Sequence, residues 1–166
     1  MDRRRFPNLD KEGFSVKSPD TPLYNCIAWA AGETDIFWWT IDDPYVHWPA
    51  GVPMEETISA FQMAYGTLGY VACNNSDPEP GYEKVALYAL NGRPKHAARQ
   101  LENGKWTSKL GEWIDIEHNT LKALEGPHYG YVCSALKRTM MRSTKSGHRV
   151  KALRCHNEVN DDSSNE

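Results

Sequence analysis

The stretch that organises this chain is Tyr24-Asn25-Cys26-Ile27-Ala28-Trp29-Ala30-Ala31-Gly32, an apolar run with a cysteine near its start and a glycine at its end. Alanine is a strong helix former, and short polar residues and proline suit a helix start. The run therefore predicts a short buried helix. Asp20 and Thr21 are the candidate caps, and Pro22 lies just before the run. Gly32 is expected to end it, because glycine adopts the left-handed conformation of a helix C-terminus without strain.

A thiol in the first turn of a helix is well placed to act as a nucleophile. Unpaired backbone amides and the positive end of the helix dipole favour the thiolate there, and the thiolate is the form that attacks a carbonyl carbon. Cys26 is therefore a candidate nucleophile. The alternative is that Cys26 is simply a small buried apolar side chain, as many free cysteines are.

Length and composition limit the class of protein. A chain of 166 residues with 40% hydrophobic residues is long enough for one domain with its own core. A formal net charge of -3 gives no general attraction to nucleic acid or to a membrane surface. We find no signal sequence and no apolar run of membrane-spanning length, so we expect a cytoplasmic protein. Its four cysteines form no CxxC pair, and we expect free thiols.

Composition also divides the chain into three segments. Residues 1–23 contain three prolines and predict an extended lead-in, and residues 24–138 predict the single domain. Residues 139–166 are first basic and then acidic, and we expect a partly disordered tail. The basic part has no interleaved aromatic residues, so a solvated surface is more typical of it than a nucleic-acid site.

The first half contains a second predicted helix. Residues 54–65 place Ile58, Phe61 and Tyr65 on one face, which is the pattern of an amphipathic helix. The loop 37–53 between the two helices is rich in aromatic residues and proline. We expect this aromatic loop to pack beside the first helix.

The second half predicts an antiparallel sheet. Strands are expected at 84–90, 95–101 and 105–110, and Asn103-Gly104 is a strong signal for a two-residue hairpin between the last two. The fold class is therefore α+β, with helices that carry the cysteine packed on an antiparallel sheet that carries a histidine, His96.

This order of a cysteine on a helix and a histidine on a strand is the arrangement that thiol hydrolases use, with the histidine as the base. We therefore predict Cys26 and His96 as a catalytic pair. An acid orients the imidazole in such sites, and Asp115 is our choice, with Glu112 and His118 as alternatives. The alternative for His96 is a hydrogen-bonded histidine at a strand end.

The predicted hairpin register decides which residues share a face of the sheet. A two-residue loop places Gly111 opposite His96, puts Lys109 on the same face as His96 and puts Ser108 on the other face. Lys109 is therefore a candidate for substrate binding and Ser108 is not. The other candidates for substrate binding, from the first helix and the aromatic loop, are Asn25, Trp29 and His47. A packing role is the more common one for a residue such as His47.

No metal site or cofactor is indicated. Four further histidines share no spacing typical of metal ligands, namely His118, His128, His148 and His156. The chemistry predicted above needs only the side chains of the chain itself and an organic substrate. The sequence leaves the oligomeric state open.

The order of cysteine helix, histidine strand and acid resembles the papain-like superfamily in its broad sense, including NlpC/P60-type amidases, transglutaminase-like proteins and bacterial deamidases. The segments 25–30, 96–101 and 106–111 are similar to a family of small uncharacterised bacterial proteins. The resemblance implies a papain-like fold and a thiol-dependent hydrolase or acyl transferase that acts on a peptide, a protein or a small amide. Asp20 stands where papain-type peptidases carry glutamine, which favours an amidase, deamidase or acyl transferase over a peptidase.

The sequence therefore leaves two functions to be distinguished. The first is a thiol-dependent hydrolase or acyl transferase, and the alternative is a catalytically silent binding module with residues 37–48 of the aromatic loop as its contact surface. A distance of about 4 Å or less between the Cys26 sulfur and a His96 nitrogen favours the enzyme. A buried Cys26 without a cleft favours the binding module.

Overall fold

Seven antiparallel strands form one sheet in the computed structural model, which describes residues 2–140. In chain order the elements are α1 (Leu9–Glu12), β1 (Phe14–Val16), α2 (Cys26–Ala31), β2 (Phe37–Trp38), β3 (Val46–His47), α3 (Ile58–Gly66), β4 (Val71–Cys73), β5 (Tyr82–Leu90), β6 (Arg93–Gln100), β7 (Trp106–Lys109), β8 (Asp115–His118), a 3-10 helix (Leu121–Leu124) and β9 (Tyr131–Thr139). Across the sheet the order is β1-β8-β7-β6-β5-β9-β4, and β2 and β3 form a separate parallel pair. The predicted mixture of helices with an antiparallel sheet is confirmed.

The sheet separates two buried clusters, because successive side chains of a strand point to opposite faces. On one face, called here the helix face, Leu87 and Ala97 pack with α2 and α3. On the other, called the lead-in face, Tyr88 and Ala98 pack with Phe6 and the 3-10 helix. The central strands β5 and β6 are therefore covered on both sides.

Helix α2 begins at Cys26, and its N-cap is Asn25 rather than a residue of Asp20-Thr21-Pro22. The Asn25 side chain accepts a hydrogen bond from the Ala28 amide at 3.0 Å and donates one to the Trp38 carbonyl oxygen at 2.8 Å. One amide group thus caps the helix and fixes the aromatic loop beside it. Gly32 ends the helix at φ +91°, as the sequence predicts.

The second helix begins later than predicted. Thr57 is its N-cap and accepts a hydrogen bond from the Ala60 amide at 3.2 Å, so α3 starts at Ile58. Phe61 is buried against the ring of Trp48 at 5.0 Å, which brings the aromatic loop into the core as expected. Within residues 2–140, no helix has the length and apolar character needed to cross a membrane.

The hairpin between β6 and β7 has a three-residue loop. The Leu101 amide donates to the Lys105 carbonyl oxygen at 2.8 Å, and Gly104 takes the left-handed conformation at φ +83°. In loops of this kind a left-handed glycine commonly follows a type I turn. The ladder then pairs Arg99 with Thr107, one residue away from the pairing that a two-residue loop would give.

This shift of one residue reverses the predicted faces, because the side-chain period of a strand is two. Ser108 lies on the same face as His96, and Lys109 lies on the helix face. Both predictions for these residues are wrong, and both fail for the same reason.

The lead-in is part of the domain, which differs from the predicted boundary at residue 24. Phe6 and Leu9 are buried in the core, and β1 adds an outer strand to the sheet by pairing with β8. At the other end β9 continues to Thr139. The predicted disorder of the tail concerns residues 141–166, which lie outside the described residues.

The close approach of Gly130 to β5 gives a test of this packing. Gly130 has φ +74°, and an added Cβ would overlap the Ala89 carbonyl oxygen. We expect Gly130→Ala to lower the free energy of unfolding by more than about 2 kcal/mol, because strain and overlap act together. Gly92→Ala, at φ +76° in open space, should cost only about 1 kcal/mol. Urea unfolding followed by tryptophan fluorescence measures both, and equal losses would contradict the close approach.

Candidate functional site

Cys26 begins α2, and its thiol packs against the backbone of β6. The side chain is 6% exposed, and the sulfur lies 4.0 Å from the Lys95 carbonyl oxygen. Burial raises the pKa of the Cys26 thiol to about 11, although the backbone amides of Ala97, Ile27 and Cys26 itself act in the opposite direction. The thiol is therefore protonated at neutral pH, and the lowered pKa that the helix start predicts is not found.

His96 lies on the lead-in face, across the β6 backbone from Cys26. The next residue, Ala97, faces α2, so the imidazole of His96 points away from the thiol. The ring stacks on Tyr129 with centroids 4.1 Å apart. Among the described residues, Cys26 and His96 share no hydrogen bond, and the predicted catalytic pair is not assembled.

His96 belongs instead to a buried chain of hydrogen bonds with Ser108 and His118, all three of which are fully buried. His96 Nε2 lies 3.0 Å from Ser108 Oγ, and Ser108 Oγ lies 2.9 Å from His118 Nε2. His118 Nδ1 lies 2.7 Å from the Thr120 carbonyl oxygen, so this nitrogen carries the proton. His118 Nε2 then accepts from the serine hydroxyl, and His96 Nε2 donates to the serine. His96 Nδ1 is left without a partner among the described residues.

The two histidines of this hydrogen-bonded network, His96 and His118, are neutral at pH 7. Burial lowers the pKa of His118 to about 4. Burial also lowers the pKa of His96 well below its ordinary value, and the charges of His118 and His128 act in the same direction. These three side chains thus form a neutral network. His118, the alternative orienting residue, is joined to His96 through Ser108.

Asp115, the first choice as orienting acid, lies on the helix face. Its Oδ2 accepts hydrogen bonds from the Tyr24 hydroxyl at 2.6 Å and from the Ser18 hydroxyl at 2.8 Å. The carboxylate therefore fixes Tyr24 and the lead-in and makes no contact with His96. Glu112 is exposed in the turn after β7 and borders a cavity of about 180 Å3 beside Tyr129.

Lys109 is a second buried titratable group on the helix face, the side of the sheet on which Cys26 lies. Its Nζ donates to the Trp113 carbonyl oxygen and lies 5.1 Å from the centre of the Tyr24 ring. Burial lowers the pKa of Lys109, and the carboxylate of Asp115 acts against that effect. The charge of Lys109 in turn lowers the pKa of Cys26. A candidate base on the thiol's side of the sheet is therefore a lysine.

The remaining candidates for substrate binding have structural contacts. Asn25 is the buried N-cap of α2. The indole nitrogen of Trp29 donates to the Thr107 hydroxyl at 3.0 Å, which joins α2 to β7. His47 packs against the Trp38 ring at 4.6 Å, in line with the packing alternative.

Sequence reasoning missed two features that the structure brings forward. The first is the role of Ser108, which only the correct hairpin register reveals. The second is a segment without positive charge, because no lysine or arginine occurs between Lys17 and Lys84. Within this segment, the six acidic residues between positions 33 and 56 are all exposed, namely Glu33, Asp35, Asp42, Asp43, Glu55 and Glu56.

The neutral histidine network predicts that acid destabilises the protein. The folded-state pKa of His118 is below its unfolded value of about 6.5, so the unfolded chain binds more protons between those values. Stability should fall by about 2 kcal/mol for His118 alone as the pH falls from 7 to 5. Urea midpoints at the two pH values measure the loss, and His118→Asn should reduce it. His47→Gln is the control, and an unchanged pH dependence in His118→Asn would exclude this explanation.

Comparison with known proteins identifies a family but no relative. A family model described as a domain of unknown function, DUF7689, matches residues 15–137, from β1 to β9. No curated protein and no solved structure matches the chain. Because the matched segment covers most of the sequence, the chain belongs to the family described as a domain of unknown function (DUF7689).

Proposed function

We propose that this domain is an interaction module that binds a basic, partly apolar polypeptide. The contact surface is the exposed part of residues 33–56, which include the aromatic loop, and it is called here the acidic loop surface. It comprises the six exposed acids between Glu33 and Glu56 together with the exposed apolar side chains of Ile41, Tyr45 and Met54. The observation that carries the proposal is Tyr45, a tyrosine that is 84% exposed beside Asp42 and Asp43 in a segment without lysine or arginine.

Exposed apolar side chains of this size support a protein contact. Met54 is 54% exposed and Ile41 is 47% exposed, and both lie with Tyr45 in the segment 33–56. Single apolar residues on a surface need no explanation, but a group within a strongly charged rim is typical of interaction sites. Tyrosine is also enriched among the residues that dominate binding energies.

The loop is held in place before any partner binds. Trp38 and Trp48 are buried and fix its two arms to the core. The Tyr45 amide donates to Asp43 Oδ1 at 2.8 Å, and the indole nitrogen of Trp39 lies 3.3 Å from Glu56 Oε1. A prearranged surface loses less conformational entropy on binding, so these contacts favour recognition by this loop.

The charge of the surface defines the partner. Acidic groups attract basic polypeptides and repel nucleic acid, and such attraction weakens with salt. Arg93, whose Nη1 lies 3.8 Å from Glu56 Oε2, borders the surface and offsets part of one charge. A cytoplasmic location belongs to the same proposal, and the free thiols of Cys26, Cys73 and Cys133 agree with it.

Binding of a labelled peptide tests this surface. A fluorescein-labelled peptide of alternating lysine and leucine should bind the protein in fluorescence anisotropy, and the same peptide with glutamate in place of lysine should not. We expect Asp42→Lys with Asp43→Lys, and separately Tyr45→Ala, to weaken binding by about tenfold or more.

The control is the double variant Asp77→Lys and Glu102→Lys, which makes the same change of net charge at exposed positions outside the loop. Equal weakening by the two double variants would mean that only total charge matters, and the acidic loop surface would be wrong as the binding site. Failure of the wild-type protein to bind the basic peptide would also reject the proposal.

A second candidate, thiol-dependent acyl transfer, is supported by the position of Cys26 as the first residue of α2, where the helix start favours the thiolate. The papain-like resemblance belongs to this candidate. In its chemistry the sulfur attacks an ester carbonyl, the alcohol leaves, and a thioester remains until water or an amine releases the acyl group. Lys109 in its neutral form would take the thiol proton, since His96 faces the other side of the sheet.

Acetylation by p-nitrophenyl acetate tests this second candidate. At pH 8 the wild-type protein should carry the acetyl group on Cys26, as mapped by mass spectrometry. Lys109→Met should slow that acetylation at pH 8 much more than near pH 11, where the buried thiol begins to ionise without a base. Acetylation of Cys73 or Cys133 ahead of Cys26 in the wild-type protein would reject acyl transfer at Cys26.

A further inference from the structure

A cavity of about 660 Å3 opens where β6 and β9 end, beside the turn that follows α3. Its size is typical of sites for small organic ligands. Arg99 and Arg138 face it from the two strands, and its apolar walls include Leu68, Leu101 and Met140. It is separate from both Cys26 and the acidic loop surface.

One carboxylate, Glu83, is shared by the two arginines. Glu83 lies on β5 between them, directly opposite Arg138 in the ladder and two residues from the partner of Arg99. Arg138 Nε and Nη2 each lie 3.0 Å from Glu83 Oε2, and Arg99 Nη1 lies 3.4 Å from Glu83 Oε1. Both oxygens of Glu83 are therefore engaged.

Arg99 retains hydrogen-bond donors that Glu83 does not satisfy. A guanidinium group has five N–H donors, and Arg99 makes one long contact with Glu83. Its Nε is buried and has no partner among the described residues. Arg138 is better satisfied, because its Nη1 also donates to the Leu68 carbonyl oxygen at 3.2 Å. Donors without a partner favour binding of an acceptor, so a ligand that accepts hydrogen bonds from Arg99 would stabilise this group.

Aromatic rings hold the two guanidinium groups in fixed positions. Arg138 lies 4.5 Å from the centre of the Tyr70 ring, and Arg99 lies 5.5 Å from that of Trp29. A planar fork held in this way matches the two oxygens of a carboxylate. The exposed Glu102 at the rim of the cavity disfavours a ligand with a second negative charge.

We propose that this cavity binds a small monocarboxylate with an apolar body. The carboxylate accepts hydrogen bonds from Arg99, and the apolar body lies against Leu68, Leu101 and Met140. Glu83 stays between the two arginines and keeps their side chains in place. Nothing in this site depends on the thiol or on the acidic loop surface.

Titration calorimetry of the full chain with hexanoate tests the proposal. Hexanoate should bind more tightly than acetate, because acetate lacks the apolar body, and more tightly than hexyl phosphate, because Glu102 repels the second charge. Hexanol should give no binding. Arg99→Lys should weaken hexanoate binding by about tenfold or more, since lysine keeps the charge but loses the fork.

Two further variants test the apolar wall and the charged rim of the cavity, and each is compared on two ligands so that a general loss of folding is recognised. Leu101→Ala should weaken hexanoate binding and leave acetate unchanged, and Glu102→Gln should strengthen hexyl phosphate binding more than hexanoate binding. Arg93→Lys, on the same strand but outside the cavity, is the matched control and should bind as the wild-type protein does. The proposal is overturned if hexanoate does not bind, if hexanol or hexyl phosphate binds as well as hexanoate, or if a folded Arg99→Lys binds hexanoate unchanged.

Discussion

The alternation of side chains along β6 from His96 to Gln100 is the constraint on which the rest of this structure depends. Ala97 faces the helices and Ala98 faces the lead-in, and both are fully buried. Their small side chains let covering layers approach the same strand from both sides. The alternation also assigns each reactive group to a face: His96 to the lead-in side, and Arg99 to the helix side. The Cys26 thiol therefore contacts the backbone of β6 at Lys95 but does not reach the imidazole of His96.

Each face of the sheet holds buried polar side chains. Those on the lead-in face are uncharged, and those on the helix face are one basic and one acidic group. The lead-in face holds two uncharged histidines joined by Ser108, and the helix face holds Lys109 and Asp115 in separate hydrogen bonds. Buried polar groups of this kind add little net stability, but breaking one leaves its partner unsatisfied. They therefore favour one register of β7 and β8 over its neighbours, since a shift of one residue would separate every partner.

The sequence is sufficient to predict the main helices and the antiparallel sheet, but not α1 and β1 in the lead-in, the pair β2–β3 or the contacts between elements. Alanine content, a terminal glycine and helical periodicity correctly predicted two helices, and alternating strands around Asn103-Gly104 correctly predicted the antiparallel sheet. The choice between a two-residue and a three-residue hairpin was not decided by these signals, because Asn103-Gly104 fits both. The difference of one residue in loop length shifts the pairing of β7, so Ser108 and Lys109 lie on the faces opposite to those predicted. The N-cap of α2 differs from the prediction for a similar reason. Asn25 and Thr21 are both residue types that favour an N-cap, and the hydrogen bond of Asn25 to Trp38 is not visible in the sequence.

The pairing of β1 with β8 has a consequence for synthesis on the ribosome. Phe14 lies opposite His118, so the partner of the first strand is made about a hundred residues after it. Until β8 has left the exit tunnel, Phe6, Leu9 and β1 have no core to join and remain available to other chains or to chaperones. Contacts of such sequence separation also slow folding after release, since the closure of a long loop precedes the gain from pairing. The nascent chain should therefore complete this sheet only after β8 has left the exit tunnel.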